Sequence, residues 1–254
     1  MIKKIVMKSL VRSLFFTFFA AATLASCKKE FLETAPTTQV GSSAALSTVD
    51  NARAALNGIH RSLYIGYANQ GEFGYGSVMI NNEVLGEDYV FAGQSNGWFL
   101  GMYRWIDHRN SNSGDNSFPY RFFYRVIANA NVLINGVDGI AGGVQADKQN
   151  IKAQALAYRG WSYFNLVQLY GIRFDRGGAN ANPGVPLLLE SSTEGKPRST
   201  VGEVYAQVNK DLDEAEALLT ATRADKSNFN LNVVRGLQAR VALTQQDWVR
   251  AASK

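Results

Sequence analysis

Residues 93–112 (GQSNGWFLGMYRWIDHRNSN) bring together side chains suited to one kind of chemistry. Holding a sugar takes aromatic faces that pack against C–H surfaces and planar polar groups that exchange paired hydrogen bonds with hydroxyls. Trp98, Tyr103 and Trp105 supply the first, and Gln94, Asn96, Arg104, Arg109 and Asn110 supply the second. The candidate ligand contacts are therefore Trp98, Tyr103, Trp105, Asn96 and Arg104. The competing use of each Trp is packing. Trp105-Ile106 could anchor the loop, and Trp161 and Trp248 are assigned to helix packing.

Other constellations are weaker. Glu83, Glu87 and Asp88 could place two carboxylates together, as glycoside hydrolysis requires, but acids on a short helix ordinarily face water. Asp107-His108 offers an acid–base pair without a G-x-S-x-G nucleophile. No enzyme activity is expected. DRGGANANPG (175–184) lacks both the EF-hand spacing and its closing Glu, so a calcium in the 172–199 loop has no sequence support and no cofactor or metal is expected. There is no P-loop and no G-x-G-x-x-G.

Cys27 is the one cysteine among 254 residues, which excludes an internal disulfide and a cysteine-based zinc site. It follows a cationic stretch, 1–13, and an apolar run, LFFTFFAAATLA (14–25), too short to cross a bilayer and the right size for the core of a signal peptide. Leu24-Ala25-Ser26-Cys27 looks like a bacterial lipobox, whose thiol takes a diacylglycerol. Several acyl chains on one residue hold stably to a membrane. The reading is a signal peptide over 1–26, a lipidated tether over 27–46, and a domain over 47–254.

The leader also explains the charge. The net charge is +5, and Lys3, Lys4, Lys8 and Arg12, with no acid near them, account for four of it. The remaining chain is close to neutral and lacks the field that drives phosphate binding, so nucleic acid is excluded as a partner.

The elements that must position these residues read as helices, and no strand-rich segment occurs. Val49, Ala52, Leu56, Ile59 and Leu63 form one apolar stripe over 47–65, capped by Ser47 or Thr48 and ended at Gly66. A short helix is expected over 77–86. Over 119–135, Pro119 suits a first helical position. A Gly-rich linker spans 137–147. Over 148–170 the face is Ala153, Leu156, Gly160, Phe164 and Val167, with Gly160 a point where another helix can come close. The 172–199 loop contains GVPLLL (184–189), a candidate extended segment. Thr200 and Glu203 form a capping box for a helix whose acids Asp211, Asp213, Glu214 and Glu216 face water. Further helices follow over 232–244 and from Asp247-Trp248. The fold class is all-α, with tetratricopeptide-like helix pairs and long irregular loops. The last helix stops after about two turns, so the chain is expected to be incomplete at its C-terminus.

The leader and helices together resemble the SusD/RagB family of outer-membrane nutrient-binding lipoproteins. SCKKEFLETAPTTQV, ALNGIHRSLY, FYRVIANANVLI with KAQALAYRGWSYFNLVQLYG, and GVPLLL with PRSTVGEVYAQVNKDLDEAEALL and GLQARVALTQQDWVRAA carry the match, in order, over nearly the whole mature chain. The resemblance implies a helical, SusD-like fold and a place on the outer membrane, held by the N-terminal lipid and facing outward. It implies a glycan or other nutrient as ligand and a TonB-dependent transporter of the SusC/RagA type as partner. Family members are longer and bind without bond chemistry. Lys28 and Lys29 stand where acidic residues accompany surface export, which leaves a periplasmic orientation open. A helical-repeat scaffold that binds a protein is the alternative. Exposure of Trp98 and its neighbours distinguishes the two.

Overall fold

The computed structural model describes residues 42–92, 97–190 and 194–254. The leader, Cys27 and most of the tether lie outside the described residues. Those that are described form nine α-helices and no strand. The helices are α1 (Ser42–Ala45), α2 (Val49–Ser62), α3 (Tyr75–Val84), α4 (Leu100–Tyr103), α5 (Gly114–Gly136), α6 (Gln145–Tyr170), α7 (Val201–Leu218), α8 (Leu231–Thr244) and α9 (Trp248–Ser253). Short 3₁₀ turns occupy Asp107–Arg109 and Val137–Gly139. None of the described helices is long and apolar enough to cross a membrane.

The helices pack in chain order as neighbouring pairs. α6 lies between α5 and α7, α8 lies between α7 and α9, and α2 closes over α5 and α6. α6 is the axis of this arrangement, and its burial exceeds the single face expected from its pattern. Every residue from Ala153 to Phe164 is buried, charged Arg159 included. Small residues make that possible: Ala153, Ala155, Ala157, Gly160 and Ser162 let neighbours approach from both sides. A Cβ on Gly160 would sit 3.2 Å from Leu212 Cγ and 3.3 Å from Asp211 Cβ, so its absence sets how close α7 lies. Trp161 fills the core as expected, edge-on to Phe123 at 5.2 Å and Tyr75 at 4.8 Å between ring centres.

Several local expectations need correction. Residues 42–46, read as tether, begin the folded domain: Ala45 is buried and Leu46 packs on the core. α2 is capped by Thr48, whose hydroxyl accepts from Asn51 N at 3.1 Å, but it ends at Ser62 rather than Gly66. Pro119 is not a first helical residue, because α5 starts at Gly114. The turn before Pro119 is held by other bonds. Asn116 Nδ2 donates to the carbonyls of His108 and Asn110, each at 3.2 Å, and Tyr170 Oη donates to the Asn116 carbonyl at 2.5 Å.

The acids of α7 are the largest departure. Asp211 is fully buried against Gly160, where Arg159 donates to both its oxygens at 2.8 and 2.6 Å and Gln207 adds a third bond at 2.7 Å. Asp213 pairs with Arg250, and Glu216 takes Arg235, Gln238 and Lys254. Of the four, Glu214 has only a long pairing, with Lys210 one turn away at 3.9 Å. α7 packs on α6 on one side and α8 on the other, so three of these four acids meet partners on other elements.

The extended segment around 184–189 is present but pairs with side chains instead of a strand. Beyond one bridge between Pro183 and Thr200, its carbonyls accept from Tyr124 Oη (at Pro186), Asn131 Nδ2 (at Leu188) and Asn135 Nδ2 (at Leu189), all at 2.7–2.9 Å. Tyr163 Oη accepts from Leu188 N at 2.7 Å and bonds its carbonyl at 2.8 Å. The capping box forms as expected: Thr200 Oγ1 accepts from Glu203 N at 3.2 Å, and Glu203 Oε2 accepts from Thr200 N at 2.7 Å.

Candidate functional site

The residues that could hold a sugar sit between α3 and α5. α3 turns its Ser77–Val78–Asn81–Val84 side into the core and leaves Met79 half exposed on the other. The chain then crosses 85–92 and re-enters through Trp98 and Phe99 into α4. Phe99 takes the left-handed conformation at φ 57°, which swings the backbone sharply into the helix. A bulky residue held there stores roughly 1–2 kcal/mol of strain. Buried Met102 anchors α4 from below.

α4 ends in a second left-handed residue, Trp105 at φ 58°. Two donors of one guanidinium hold that turn: Arg109 Nε and Nη2 reach the Trp105 carbonyl at 3.1 and 2.7 Å. The Asp107 carboxylate folds back over α4 so closely that a Cβ on Gly101 would lie 1.7 Å from its Oδ2. A larger residue at that position would have to displace the Asp107 carboxylate.

A cavity of about 510 Å³ opens between α3 and this loop, with Met79, Ile80, Tyr89, Phe91, Trp98 and Phe99 as its apolar lining and Glu83 and Asp88 at its polar edge. Its size falls within the usual range for small-molecule sites, about 300–1,000 Å³. Trp98 keeps 47% of its surface exposed, far from a core Trp. Tyr89 meets Phe91 edge-on at 5.5 Å, and Phe91 meets Tyr103 at 4.7 Å, so the aromatic wall continues behind the lining. The described lining contains no cation.

The structure thus separates the expected contacts. Trp98 lines the cavity, and Tyr103 supports its wall through Phe91. Trp105 and Arg104 are both exposed, Trp105 at 52%, but do not line it. The indole of Trp105 faces His108 edge-on at 5.6 Å. Asn96 lies outside the described residues. Met79, Ile80, Tyr89, Phe91 and Phe99 were not among the expected contacts. The signal for two of them was the Tyr89-x-Phe91 spacing, which puts both rings on one side of an extended segment. Trp248, assigned to helix packing, is instead 56% exposed beside Val249 and Leu243 at the open side of α8 and α9.

Among the described residues no group of three or more His, Cys, Asp or Glu side chains is placed to hold a metal. In the 172–199 loop the polar groups close the turn on itself: Asn180 Oδ1 accepts from Asp175 N at 2.8 Å, and Asn180 Nδ2 donates to the Asp175 carbonyl at 2.8 Å.

Comparison with known proteins agrees with the all-helical fold. A SusD-like family model, described as "Starch-binding associating with outer membrane", matches residues 30–243. Among solved structures, a SusD-like carbohydrate binding protein from Bacteroides vulgatus is 30% identical, with a TM-score of 0.71 over 82% of this chain and 44% of its own. A SusD superfamily protein from Bacteroides thetaiotaomicron is 26% identical, with a TM-score of 0.61 over 80% of this chain and 44% of its own. A laminarin binding SusD-like protein shares the fold at 23% identity and a TM-score of 0.62, over 82% of this chain and 42% of its own. No curated protein matches. The chain therefore spans less than half the length of these solved relatives. With the family model covering most of its residues, the chain belongs to the SusD/RagB family.

Proposed function

We propose that this protein binds a neutral glycan in the cavity between α3 and the 97–103 loop, as a lipid-anchored nutrient-binding protein of the outer membrane. The observation that carries the reading is Trp98: a large ring, half exposed, set across an aromatic-lined cavity of sugar-binding size. An indole face supplies the apolar platform for sugar C–H groups, and Glu83 and Asp88 can accept from hydroxyls. A cleft whose described charges are both carboxylates disfavours acidic sugars. The protein-scaffold alternative expected these aromatics to be buried. The relative from Bacteroides vulgatus, at 30% identity, is a carbohydrate binding protein, which favours the same ligand class and argues against catalysis.

In this reading Cys27 carries the lipid, the bound glycan passes to a TonB-dependent transporter of the SusC/RagA type, and the protein faces the cell exterior. The family's association with the outer membrane supports that placement. A glycan array probed with the full chain and with Trp98→Ala tests the ligand. Signals on neutral glycans that disappear in the variant are expected, and signals retained in the variant would count against the cleft. Metabolic labelling with a palmitate analogue tests the anchor: incorporation should vanish in Cys27→Ser.

A further inference from the structure

A second concave surface lies away from the aromatic cleft, between α2, the start of α6 and the segment that joins α7 to α8. It consists of two adjoining hollows, of about 820 and 330 Å³, that share Asn57 and Ser227 in their walls. We infer that this furrow is a second binding site, for an uncharged, hydroxyl-rich ligand, that is, a neutral saccharide.

The argument begins with which polar groups are free. Every charged side chain named in the walls is already engaged. Arg53 pairs with Asp147 at 2.8 Å. Arg223 donates to the carbonyls of Lys226 and Asn228, and Asp225 accepts from Ser227 N and Oγ at 2.8 and 3.0 Å. The side-chain amides of Asn57, Gln149 and Asn228, by contrast, have no partner among the described residues. A planar amide offers a donor and an acceptor side by side, which matches vicinal hydroxyls and gives an ion little. Three free amides among charges that are already hydrogen-bonded or paired therefore favour hydroxyls over carboxylates, sulfates or ammonium groups.

The smaller hollow supplies what the larger lacks. Tyr64 leaves 73% of its surface exposed there, an open ring at one end of the furrow. His60, nine-tenths buried in the same wall, has an Nε2 with no hydrogen-bond partner among the described residues. Burial, partly opposed by the Asp225 carboxylate, holds the His60 pKa below its ordinary value and favours the uncharged imidazole in this wall. An extended peptide would also use the amides, but peptide docking draws its energy from apolar anchors in pockets. In the larger hollow the large apolar lining residues are Leu56 and Leu218, and Leu56 is buried, which leaves it little surface to offer as an anchor site.

The test follows the Tyr64 ring and His60 imidazole signals of the full chain by NMR. Ligands are a panel of neutral gluco-, manno-, galacto- and xylo-oligosaccharides, with oligogalacturonate and an unstructured peptide as comparators. At least one neutral member should shift both signals, equally in the wild type and in Trp98→Ala. Asn57→Ala, an exposed position on α2 whose fold is checked by circular dichroism, should weaken that binding about fivefold, the worth of one hydrogen bond. The inference is overturned if no neutral oligosaccharide shifts the two signals, if oligogalacturonate or the peptide does so more strongly, or if Trp98→Ala abolishes the shifts. Because the Trp98 indole signal is read in the same spectra, failure of the furrow and failure of the aromatic cleft are seen separately.

Discussion

Arg159 shows how much a single residue organises here. Its guanidinium makes two bonds to Asp211 on α7 and one, at 2.9 Å, to Asn131 Oδ1 on α5, and Asn131 in turn holds the Leu188 carbonyl. Three helices and the extended segment thus meet at one buried cation. Removing it leaves a carboxylate in the core with one amide for company. Arg159→Met is expected to cost about 3–5 kcal/mol in urea unfolding, the usual penalty for stranding a buried charge. Arg159→Met with Asp211→Leu should recover much of that loss, since a pair of apolar residues needs no compensation. The sequence offered no clear view of this pair. Asp211 stands among four acids that together resemble a solvated face, and only the position of Gly160, in the turn beside Arg159, hinted that something approaches there.

At the scale of elements, helices were legible and their boundaries less so. The capping box at Thr200 and the stripe of α2 are local signals, written within a few residues, and both form as read. The start of α5 was not legible, because the bonds that hold its first turn come from Asn116 and from Tyr170, 54 residues away. The 184–189 segment is similar: its extension was readable, its partners were not, since they are side chains on α5 and α6. Tyr163→Phe removes the one hydroxyl that serves both the N–H and the carbonyl of Leu188. It should destabilise the protein by about 1–3 kcal/mol, the cost of an unsatisfied buried amide, and limited proteolysis should cut faster near 188. Gly160→Leu should force α7 off α6 and cost about 1–3 kcal/mol or more by overpacking, with helicity by circular dichroism largely kept.

For the whole molecule, the contact between α7, α8 and the end of the chain depends on Glu216. Hydrogen bonding from Lys254, with Gln238 and Arg235, draws its pKa down to about 2. A carboxylate whose folded pKa lies below its unfolded value adds stability that is complete above about pH 4.5 and is lost as pH falls toward 2. Thermal melts should show that loss in the wild type across this window, and Glu216→Gln should flatten that part of the profile. The aromatic cleft was half legible. Trp98 stood out by type and setting, but the cavity it lines is made with Met79 and Ile80, which belong to α3 and are ordinary helix residues until the loop folds over them. Trp105 and Arg104 are near in sequence and still do not line the cavity: Arg104 caps the end of α4, and Trp105 sits in the left-handed turn that follows it.

The central claim is that Trp98 provides the platform for a neutral glycan. Isothermal titration calorimetry of the full chain with the strongest neutral ligand from the array, compared with Trp98→Ala and Trp105→Ala, tests it most directly. The account predicts that Trp98→Ala weakens binding about tenfold or more, a loss of roughly 1.4 kcal/mol, while Trp105→Ala stays close to wild type. Unchanged affinity in a correctly folded Trp98→Ala protein, or loss of binding in Trp105→Ala alone, would contradict it.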